Sequence, residues 1–365
     1  MSFTYGICKL PKNNDLLLSK ISDACSRLET KLNHINFSEL DITDYNKKYI
    51  NQMIGTPAGL RNTTRKYAFV LAWALHKVED ISKITFLDYG AGHGLLSMLA
   101  AELGLGKSVM SDIFGPSMDD AKVLSEKLNL KIDHFIVGDI EETINYIKDH
   151  NLNVDVVSNY DTIEHIYNID NFLNNLNKFG TNITYFFASG ANGDNPFIKK
   201  LLVKDHLLVE FKDKKIVKGH KASDSSLAYI KLRRKYITEV FKDFSDDELD
   251  ELVRVTRGKR KDDILKIAEE YKSTNTLPAE IPEPTDTCDP ANGNWAEHIM
   301  NPFELNKKLE KFNFENTFVI AGYYGKPKKL IKKMAGFIFN IYTRIMPVKQ
   351  GLILAPFYAI YGRKR

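Results

Sequence analysis

The sequence predicts an α/β fold, in which helices flank an open and mainly parallel β-sheet. Three observations lead to this prediction. Short apolar runs alternate with segments of helical periodicity between residues 81 and 190. Glycine occurs at every second position after the first apolar run, and Asp or Asn follows several later runs. Alternating strands and helices are typical of βαβ units, whose parallel strands end at one edge of the sheet.

The first predicted strand is the apolar run 84–87, which Asp88 ends, and a helix is predicted at 95–103 before Gly104. A glycine turn between such a strand and helix brings backbone N–H groups close to a ligand. His93 stands inside the turn and is expected to be exposed. The turn itself is defined by three glycines at every second position: Gly90, Gly92 and Gly94.

Polar residues follow the next strands of the predicted core. Asp112 closes the second strand, Asp139 follows the third, and Asn159 follows the fourth. A carboxylate after the second strand can accept both ribose hydroxyls of a nucleoside, and ligands of open sheets bind at this edge. The alternative is that both Asp residues are helix N-caps or turn residues. The strands are predicted at 107–111, 132–137, 154–158 and 183–188.

The string D-x-G-x-G-x-G at 88–94 resembles motif I of class I S-adenosylmethionine (SAM)-dependent methyltransferases. Its third glycine comes one residue earlier than in the NAD-binding pattern, which disfavours an oxidoreductase. The resemblance implies a Rossmann-like seven-stranded methyltransferase sheet with an N-terminal helical region and a mainly helical insertion between strands 5 and 6. It also implies SAM as cofactor, with these contact residues: Asp88, Gly90, Ala91, Gly92, Gly94, Asp112, Ile113, Asp139, Ile140 and Asn159.

The segment after the fourth strand resembles motif IV of the same family and carries the predicted catalytic residues. Methyl transfer to a hydroxyl group requires alignment of the acceptor and removal of a proton. His165 is the predicted base, because imidazole titrates near neutral pH, and Glu164 stands beside it. The alternative is that His165 opens a helix and hydrogen-bonds locally.

The same segment resembles the Glu-x-x-Glu-His region of ubiquinone-biosynthesis O-methyltransferases, which is associated with a divalent metal. That resemblance implies a metal such as Mg at Asp161, Glu164 and His165, with Asp161 in place of the first Glu. A metal there would lower the pKa of an acceptor oxygen.

Four regions are predicted along the chain: an N-terminal helical cap at 1–80, a SAM-binding core at 81–190, a helical insertion at 191–292 that sets substrate specificity, and the end of the core at 293–365. Helices are predicted at 15–28, 62–75, 225–237, 245–254, 261–271 and 302–311, and the closing strands at 314–323 and 352–361. The basic amphipathic segment 328–346 either packs on the sheet or makes peripheral contact with a membrane.

Two clusters, one in the insertion and one at its end, bear on the identity of the acceptor. Trp295, in the polar stretch 286–298, is either a platform for a sugar ring or part of a turn. A basic cluster either binds an anionic acceptor such as a nucleotide sugar or forms a solvated helix face paired with nearby acids. Its members are Arg233, Arg234, Lys235, Arg254, Arg257, Lys259, Arg260 and Lys261.

Composition, net charge and cysteine spacing indicate the general class of protein, its partners and its location. The 365 residues are 43% hydrophobic and 27% charged, which predicts a folded protein. A net charge of +4 is too small to indicate nucleic acid as a partner. Cys8, Cys25 and Cys288 lie far apart and the N-terminus lacks a secretory pattern, so a reducing, cytoplasmic location is expected.

The insertion resembles, more distantly, that of bacterial methyltransferases of surface-polysaccharide or nucleotide-sugar pathways. The predicted function is therefore SAM-dependent O-methylation of a sugar, a nucleotide sugar or a polysaccharide component by in-line methyl transfer. Two alternatives stay open. One is a methyltransferase acting on a quinone or lipid-like acceptor at a membrane surface, and the other is a non-catalytic SAM-binding interaction module.

Overall fold

The chain divides into two units of dense internal packing, which are described separately. A computed structural model describes residues 10–12, 14–214, 225–279, 282–283, 285–325 and 330–364. The first unit comprises Met1–Ile163, Asp170–Gly190 and Asn301–Arg365, and the second comprises Glu164–Ile169 and Ala191–Met300. The N-terminal helices thus fall in the same unit as the sheet, and the predicted domain limits stay predictions. Cys8, Lys328 and Lys329 lie outside the described residues.

Strands and helices alternate through the first unit as the sequence indicates. The strands are β1 Thr85–Tyr89, β2 Lys107–Asp112, β3 His134–Val137, β4 Val156–Tyr160, β5 Thr184–Ser189, β6 Glu315–Ala321 and β7 Tyr358–Arg363. The helices, in chain order, are α1 Asp15–Asn33, α2 Asp44–Ile54, α3 Pro57–Ala74, α4 Leu95–Leu103, α5 Gly115–Lys127, α6 Ile140–Asp149, α7 Ile169–Leu176, α8 Pro196–Phe211, α9 Tyr229–Val240, α10 Asp246–Val255, α11 Lys261–Thr274, α12 Pro302–Lys311, α13 Leu330–Ile345 and α14 Val348–Gly351.

Within the described residues, one seven-stranded sheet has the order β3-β2-β1-β4-β5-β7-β6. The first five strands pair in parallel, and β7 pairs antiparallel with both β5 and β6. The strand order reverses between β1 and β4, and ligands of open α/β sheets bind outside the carboxyl ends of the strands at such a point. The predicted seven-stranded α/β sheet is confirmed.

The N-terminal helix α3 packs directly on this sheet. Its Phe69 ring lies 6.0 Å from the ring of Phe186 on β5 and 5.7 Å from that of Phe357. These edge-to-face contacts belong to the apolar core of the first unit, whose burial is the main term that stabilises the fold. Sheet packing, one of the two roles expected for the leading helices, is therefore observed for α3.

Helix α2 was not predicted, because its sequence is mostly polar. It is positioned by the buried carboxylate of Asp120 on α5. The Asp120 carboxylate accepts hydrogen bonds from the backbone N–H of Thr43 at 3.0 Å and from the Asn46 side chain at 2.7 Å. Thr43 in turn caps α2 by accepting from the Asn46 N–H. Such stabilisation by a residue 77 positions away leaves no periodic signal in the helix itself.

The last strand is shorter than predicted. The chain forms a helical turn up to Ala355, whose N–H donates to Gly351 O at 3.0 Å, and β7 begins only at Tyr358. Pro356 lacks an N–H and cannot donate a hydrogen bond to a neighbouring strand at this point, so the predicted start at residue 352 is wrong.

In the described part of the chain, no helix is both long and apolar enough to cross a bilayer.

The second unit contains helices α8 to α11. An ion pair holds it together internally: the guanidinium of Arg233 binds both carboxylate oxygens of Glu210, at 2.5 and 3.2 Å, and its Nε–H donates to Val253 O at 3.1 Å. Both side chains are almost fully buried. The assignment of Arg233 to a basic surface is therefore wrong. Its neighbour Arg234 lies on the surface and pairs with Asp246 and Asp250, as the alternative for this cluster expects.

We predict that Glu210→Gln destabilises the second unit by about 3–5 kcal/mol, because it leaves the Arg233 charge buried without a counter-charge. The double variant Arg233→Met, Glu210→Leu should recover most of that loss, since well-packed apolar side chains often replace a buried ion pair at little cost. Urea unfolding followed by circular dichroism measures both. Equal losses in the single and double variants would contradict this account.

Candidate functional site

The glycine turn after β1 adopts backbone conformations that only glycine enters readily. The φ angles of Gly90, Gly92 and Gly94 are 72°, 54° and 78°. A Cβ on Gly90 would lie 2.2 Å from the Thr162 side chain, and one on Gly94 would lie 2.4 Å from Met110. At Gly92 an added Cβ would meet no described atom within 4 Å. Two glycines thus serve packing, while the backbone of Gly92 faces open space that a ligand can approach.

Hydrogen bonds tie this turn to the end of β2. The N–H groups of Gly90 and Ala91 both donate to Ser111 O, at 2.7 and 3.0 Å. The Gly92 N–H donates to Asp112 Oδ2 at 2.8 Å, and Phe114 N–H donates to Asp112 Oδ1 at 2.8 Å. Each carboxylate oxygen of Asp112 retains a lone pair, so Asp112 can still accept from two hydroxyls.

Ile113, next to this carboxylate, is 74% exposed, which is unusual for so large an apolar side chain. An exposed apolar side chain beside a hydroxyl-binding carboxylate fits a nucleoside, because the base can pack on one and the ribose can bind the other. The structure therefore brings Asp112 and Ile113 together with the glycine turn.

Asp139 caps α6, as the alternative expects. Its Oδ1 accepts from the N–H groups of Glu141 and Glu142 at 2.7 and 3.4 Å, and the Glu142 carboxylate accepts from the Asp139 N–H at 2.8 Å. This reciprocal arrangement is a capping box. The neighbouring Ile140 is buried. A cofactor contact of Asp139 and Ile140 stays a prediction.

Asp88 lies inside the sheet rather than at a surface. Its carboxylate accepts from the Ser97 hydroxyl at 2.9 Å. Burial raises the pKa of Asp88 to about 7, and the Ser97 hydrogen bonds only partly oppose this increase. A carboxyl group so placed fixes the turn against α4.

Asn159, at the end of β4, is fully buried, and both polar atoms of its side chain lack a hydrogen-bond partner among the described residues. An unsatisfied buried amide costs free energy, so this residue is suited to bind a group that the polypeptide does not supply. It lies on the strand next to β1, at the reversal of strand order.

His93 is buried, so the expectation that it is exposed is wrong. Its Nε2 lies 3.0 Å from Met53 Sδ on α2, and its Nδ1 accepts from the Leu95 N–H at 3.3 Å. Burial, assisted by the charge of Lys66, lowers the pKa of His93 to about 4. A neutral imidazole therefore closes one side of the glycine turn.

Sequence reasoning missed Lys66. Helix α3 places its ammonium 4.2 Å from the ring centre of Tyr160 and 3.9 Å from Asp161 Oδ2, at the end of β4. The available signal was an Arg65–Lys66 pair directly before a long apolar stretch of helix. A cation near the glycine turn is suited to bind an anionic ligand group.

The predicted base His165 belongs to the second unit. Its Nδ1 lies 2.7 Å from Trp295 O, and its Nε2 lies 3.7 Å from Glu297 Oε1. Because a carbonyl oxygen can only accept, Nδ1 carries the hydrogen, and Nε2 of the neutral ring is left as a proton acceptor. The side chain is 33% exposed, so solutes can reach it.

Aromatic rings surround this histidine. The Trp295 ring stacks on His298 at 4.3 Å and on Tyr167 at 6.0 Å between ring centres, and its Nε1–H donates to Tyr167 O at 3.3 Å. All three rings are partly exposed. Glu297 between them has a φ of 63°, in the left-handed region that glutamate rarely enters. Backbone strain of this kind concentrates at functional sites.

The other residues of the predicted metal set are arranged differently. Glu164 is fully buried, and its carbonyl oxygen accepts from the His298 N–H at 3.0 Å. Asp161 belongs to the first unit, where its Oδ1 accepts from the Gly190 N–H at 2.9 Å. Among the described residues, no three His, Cys, Asp or Glu side chains are grouped so that they could hold a metal ion. The described structure therefore gives no support to a metal at Asp161, Glu164 and His165.

Comparison with known proteins gives one family match, which covers slightly less than half of the chain. Residues 80–257 match the sequence model of a family described as a methyltransferase domain. No curated protein matches the sequence.

Solved structures of low similarity include the plantazolicin methyltransferase BpumL in complex with a triazolic desmethylPZN analog and SAH. It is 15% identical, with a TM-score of 0.38 over 96% of this chain and 98% of that one. Others are PH0226 from Pyrococcus horikoshii OT3 (16% identity, TM-score 0.34, 48% and 75% covered) and the magnesium protoporphyrin IX methyltransferase ChlM from Synechocystis PCC 6803 with bound SAH (18%, 0.29, 35% and 56%). These scores are too low to carry an argument about the acceptor.

We predict that His93 makes the fold acid-sensitive. Its pKa is about 4 when folded, against an ordinary value of 6.5, so between these pH values the unfolded chain binds a proton that the folded chain does not. The free energy of unfolding should therefore fall as the pH decreases from 6.5 towards 4. At pH 5 this contribution amounts to about 2 kcal/mol.

Urea titrations at pH 7 and pH 5 test this, comparing wild type with His93→Asn. The variant should lose less stability than wild type between the two pH values. His34→Asn, at an exposed histidine, is the matched control. The same pH-dependent loss in His93→Asn and wild type would exclude His93 as the cause.

Proposed function

We propose that this chain is a class I SAM-dependent methyltransferase. Its proposed reaction is methylation of a hydroxyl group of a sugar, a nucleotide sugar or a surface-polysaccharide component in the cytoplasm. The observation that carries the proposal is the state of His165. Its Nδ1–H is held by Trp295 O, its Nε2 is free to take a proton, and partly exposed aromatic rings stand beside it.

The first unit has the features that a SAM site needs. Gly92 offers open space beside its backbone, Asp112 retains acceptor capacity for the ribose hydroxyls, and Ile113 offers an apolar surface for adenine. Asn159 contributes an unsatisfied buried amide, and Lys66 a cation for the carboxylate of the methionine part. When bound, SAM supplies a methyl group made electrophilic by the adjacent sulfonium.

The protein's part in the reaction is positioning and proton transfer. His165 is the proposed base, and its Nε2 would accept the proton that the acceptor hydroxyl loses on methylation. Glu297, 3.7 Å from that nitrogen, offers a negative charge that favours the imidazolium as it forms. Trp295 O keeps the ring oriented throughout.

A sugar fits the surroundings of His165. Carbohydrate rings present C–H groups that pack on aromatic rings, and Tyr167, Trp295 and His298 supply such rings. Arg260 lies over the Tyr167 ring at 5.3 Å, is half-exposed, and has its Nε 3.5 Å from Asp263 Oδ2. The rest of its guanidinium is the proposed contact for a phosphate of a nucleotide sugar. A purely hydrophobic acceptor would not bind the Arg260 guanidinium.

The direct test is turnover with SAM and a panel of nucleotide sugars and free sugars, read as SAH formation and as the gain of one methyl group by mass spectrometry. Transfer to a sugar hydroxyl supports the proposal. SAM binding without transfer to any acceptor in the panel, or transfer only to a quinone or lipid, would reject it.

We predict that His165→Ala lowers kcat by about 10²–10⁴-fold, the usual contribution of a positioned base, and leaves the Kd for SAM unchanged. Glu297→Gln should lower kcat less, because the imidazole remains. His34→Ala, at an exposed histidine of the first unit, is the matched control. Unchanged turnover in His165→Ala would remove this residue from the mechanism.

We predict that Asp112→Asn weakens SAM binding by about 1–3 kcal/mol, because it removes charged hydrogen bonds to the ribose. Asp139→Asn is an informative companion, since Asn caps a helix about as well as Asp and should leave α6 intact. Isothermal calorimetry measures both. If Asp139→Asn binds SAM with wild-type affinity, Asp139 serves as the N-cap of α6 and not as a cofactor contact. Wild-type affinity in Asp112→Asn would contradict the proposal that Asp112 binds the ribose.

A further inference from the structure

One face of α13 exposes large apolar side chains to solvent over most of its length. They recur at intervals of three and four residues, which places them within roughly 120° around the helix axis. They are 83%, 60%, 54%, 60%, 43% and 70% exposed, in the order Ile331, Met334, Phe337, Ile338, Ile341 and Ile345. We refer to these six residues as the α13 apolar face.

The opposite side of α13 is fixed to the first unit. The Asn340 side chain accepts from the Tyr324 N–H at 2.7 Å and donates to Tyr324 O at 2.9 Å, so it pairs with both backbone groups of that residue. Asn340 and Thr343 are buried, and a Cβ on Gly336 would lie 3.3 Å from Tyr324 Cβ. The helix is therefore held in an orientation that points its most apolar side outward, and packing of this segment on the sheet stays a prediction.

The part of the sequence that contains α13 carries charge of one sign only. No Asp or Glu occurs after Glu315, whereas the last 50 residues contain ten of the 51 Lys and Arg. On or directly after the helix, Lys332, Lys333, Arg344 and Lys349 are exposed. The net charge of the whole chain is only +4, so its positive excess is concentrated in this region.

We propose that α13 is a peripheral membrane-binding element that lies in the plane of an anionic lipid surface. The α13 apolar face would enter the boundary between headgroups and acyl chains, and the flanking basic residues would bind anionic headgroups. A contiguous exposed apolar patch of this kind marks an interaction site. Charge complementarity selects lipid over a second copy of the chain, because two copies of α13 would bring like charges together.

Vesicle flotation tests this proposal with the full-length protein. Vesicles of phosphatidylcholine alone and of phosphatidylcholine with about a third phosphatidylglycerol provide the neutral and anionic surfaces. Wild type should float with the anionic vesicles and not with the neutral ones, and high salt should weaken that binding.

Two variants separate the apolar and the charged contributions. Ile338→Glu should lower the partition coefficient by roughly tenfold or more, because it removes a large apolar side chain from the interface. Lys332→Gln with Lys333→Gln should lower it about fivefold for each charge removed. Leu16→Glu makes the same exposed apolar-to-acidic change on α1 and should float as wild type does.

Several results would overturn the proposal: no flotation with anionic vesicles, equal flotation with neutral ones, or wild-type flotation of Ile338→Glu. Size-exclusion chromatography with light scattering tests the competing hypothesis, in which a second copy of this chain binds the α13 apolar face. A dimer that Ile338→Glu dissociates, together with absent lipid binding, would assign the face to a second copy of this chain and reject the membrane.

Discussion

The hydrogen bond from the Gly92 N–H to the Asp112 carboxylate joins the two parts of the proposed cofactor site. It holds the glycine turn against the end of β2, where Ser111 O already accepts from the two preceding N–H groups. A carboxylate that orients the turn is at the same time available to hydroxyl donors. The Asp112 side chain thus couples the turn to the end of β2, so the conformation of the turn and the position of the proposed ribose-binding carboxylate depend on each other.

Around His165, one short segment likewise has several structural roles. The carbonyl oxygen of Trp295 selects the tautomer, and the same residue contributes an aromatic ring to the surroundings of the imidazole. The neighbouring Glu297 brings a carboxylate towards the opposite ring nitrogen. Residues 295–298 therefore carry orientation, charge and apolar surface in one short segment of the second unit.

The sequence was sufficient for features that depend on local pattern. The glycine spacing, the strand ends and Asp112 follow from alternation along the chain, and α4 lies at the predicted residues. Features that depend on distant partners were missed. His93 is buried by Met53, 40 residues away, and Arg233 is buried by its pairing with Glu210. The carbonyl that orients His165 lies 130 positions further along the chain, beyond the range of any periodicity.

The backbone of Glu297 has a consequence for how this protein can change. Left-handed conformations cost a non-glycine residue of the order of 1 kcal/mol, which Gly or Asn would largely avoid. Replacing Glu297 by either would relax the chain but discard the carboxylate next to His165. A variant library sorted for heat resistance should therefore drift away from glutamate at this position, whereas a library sorted for turnover should retain it.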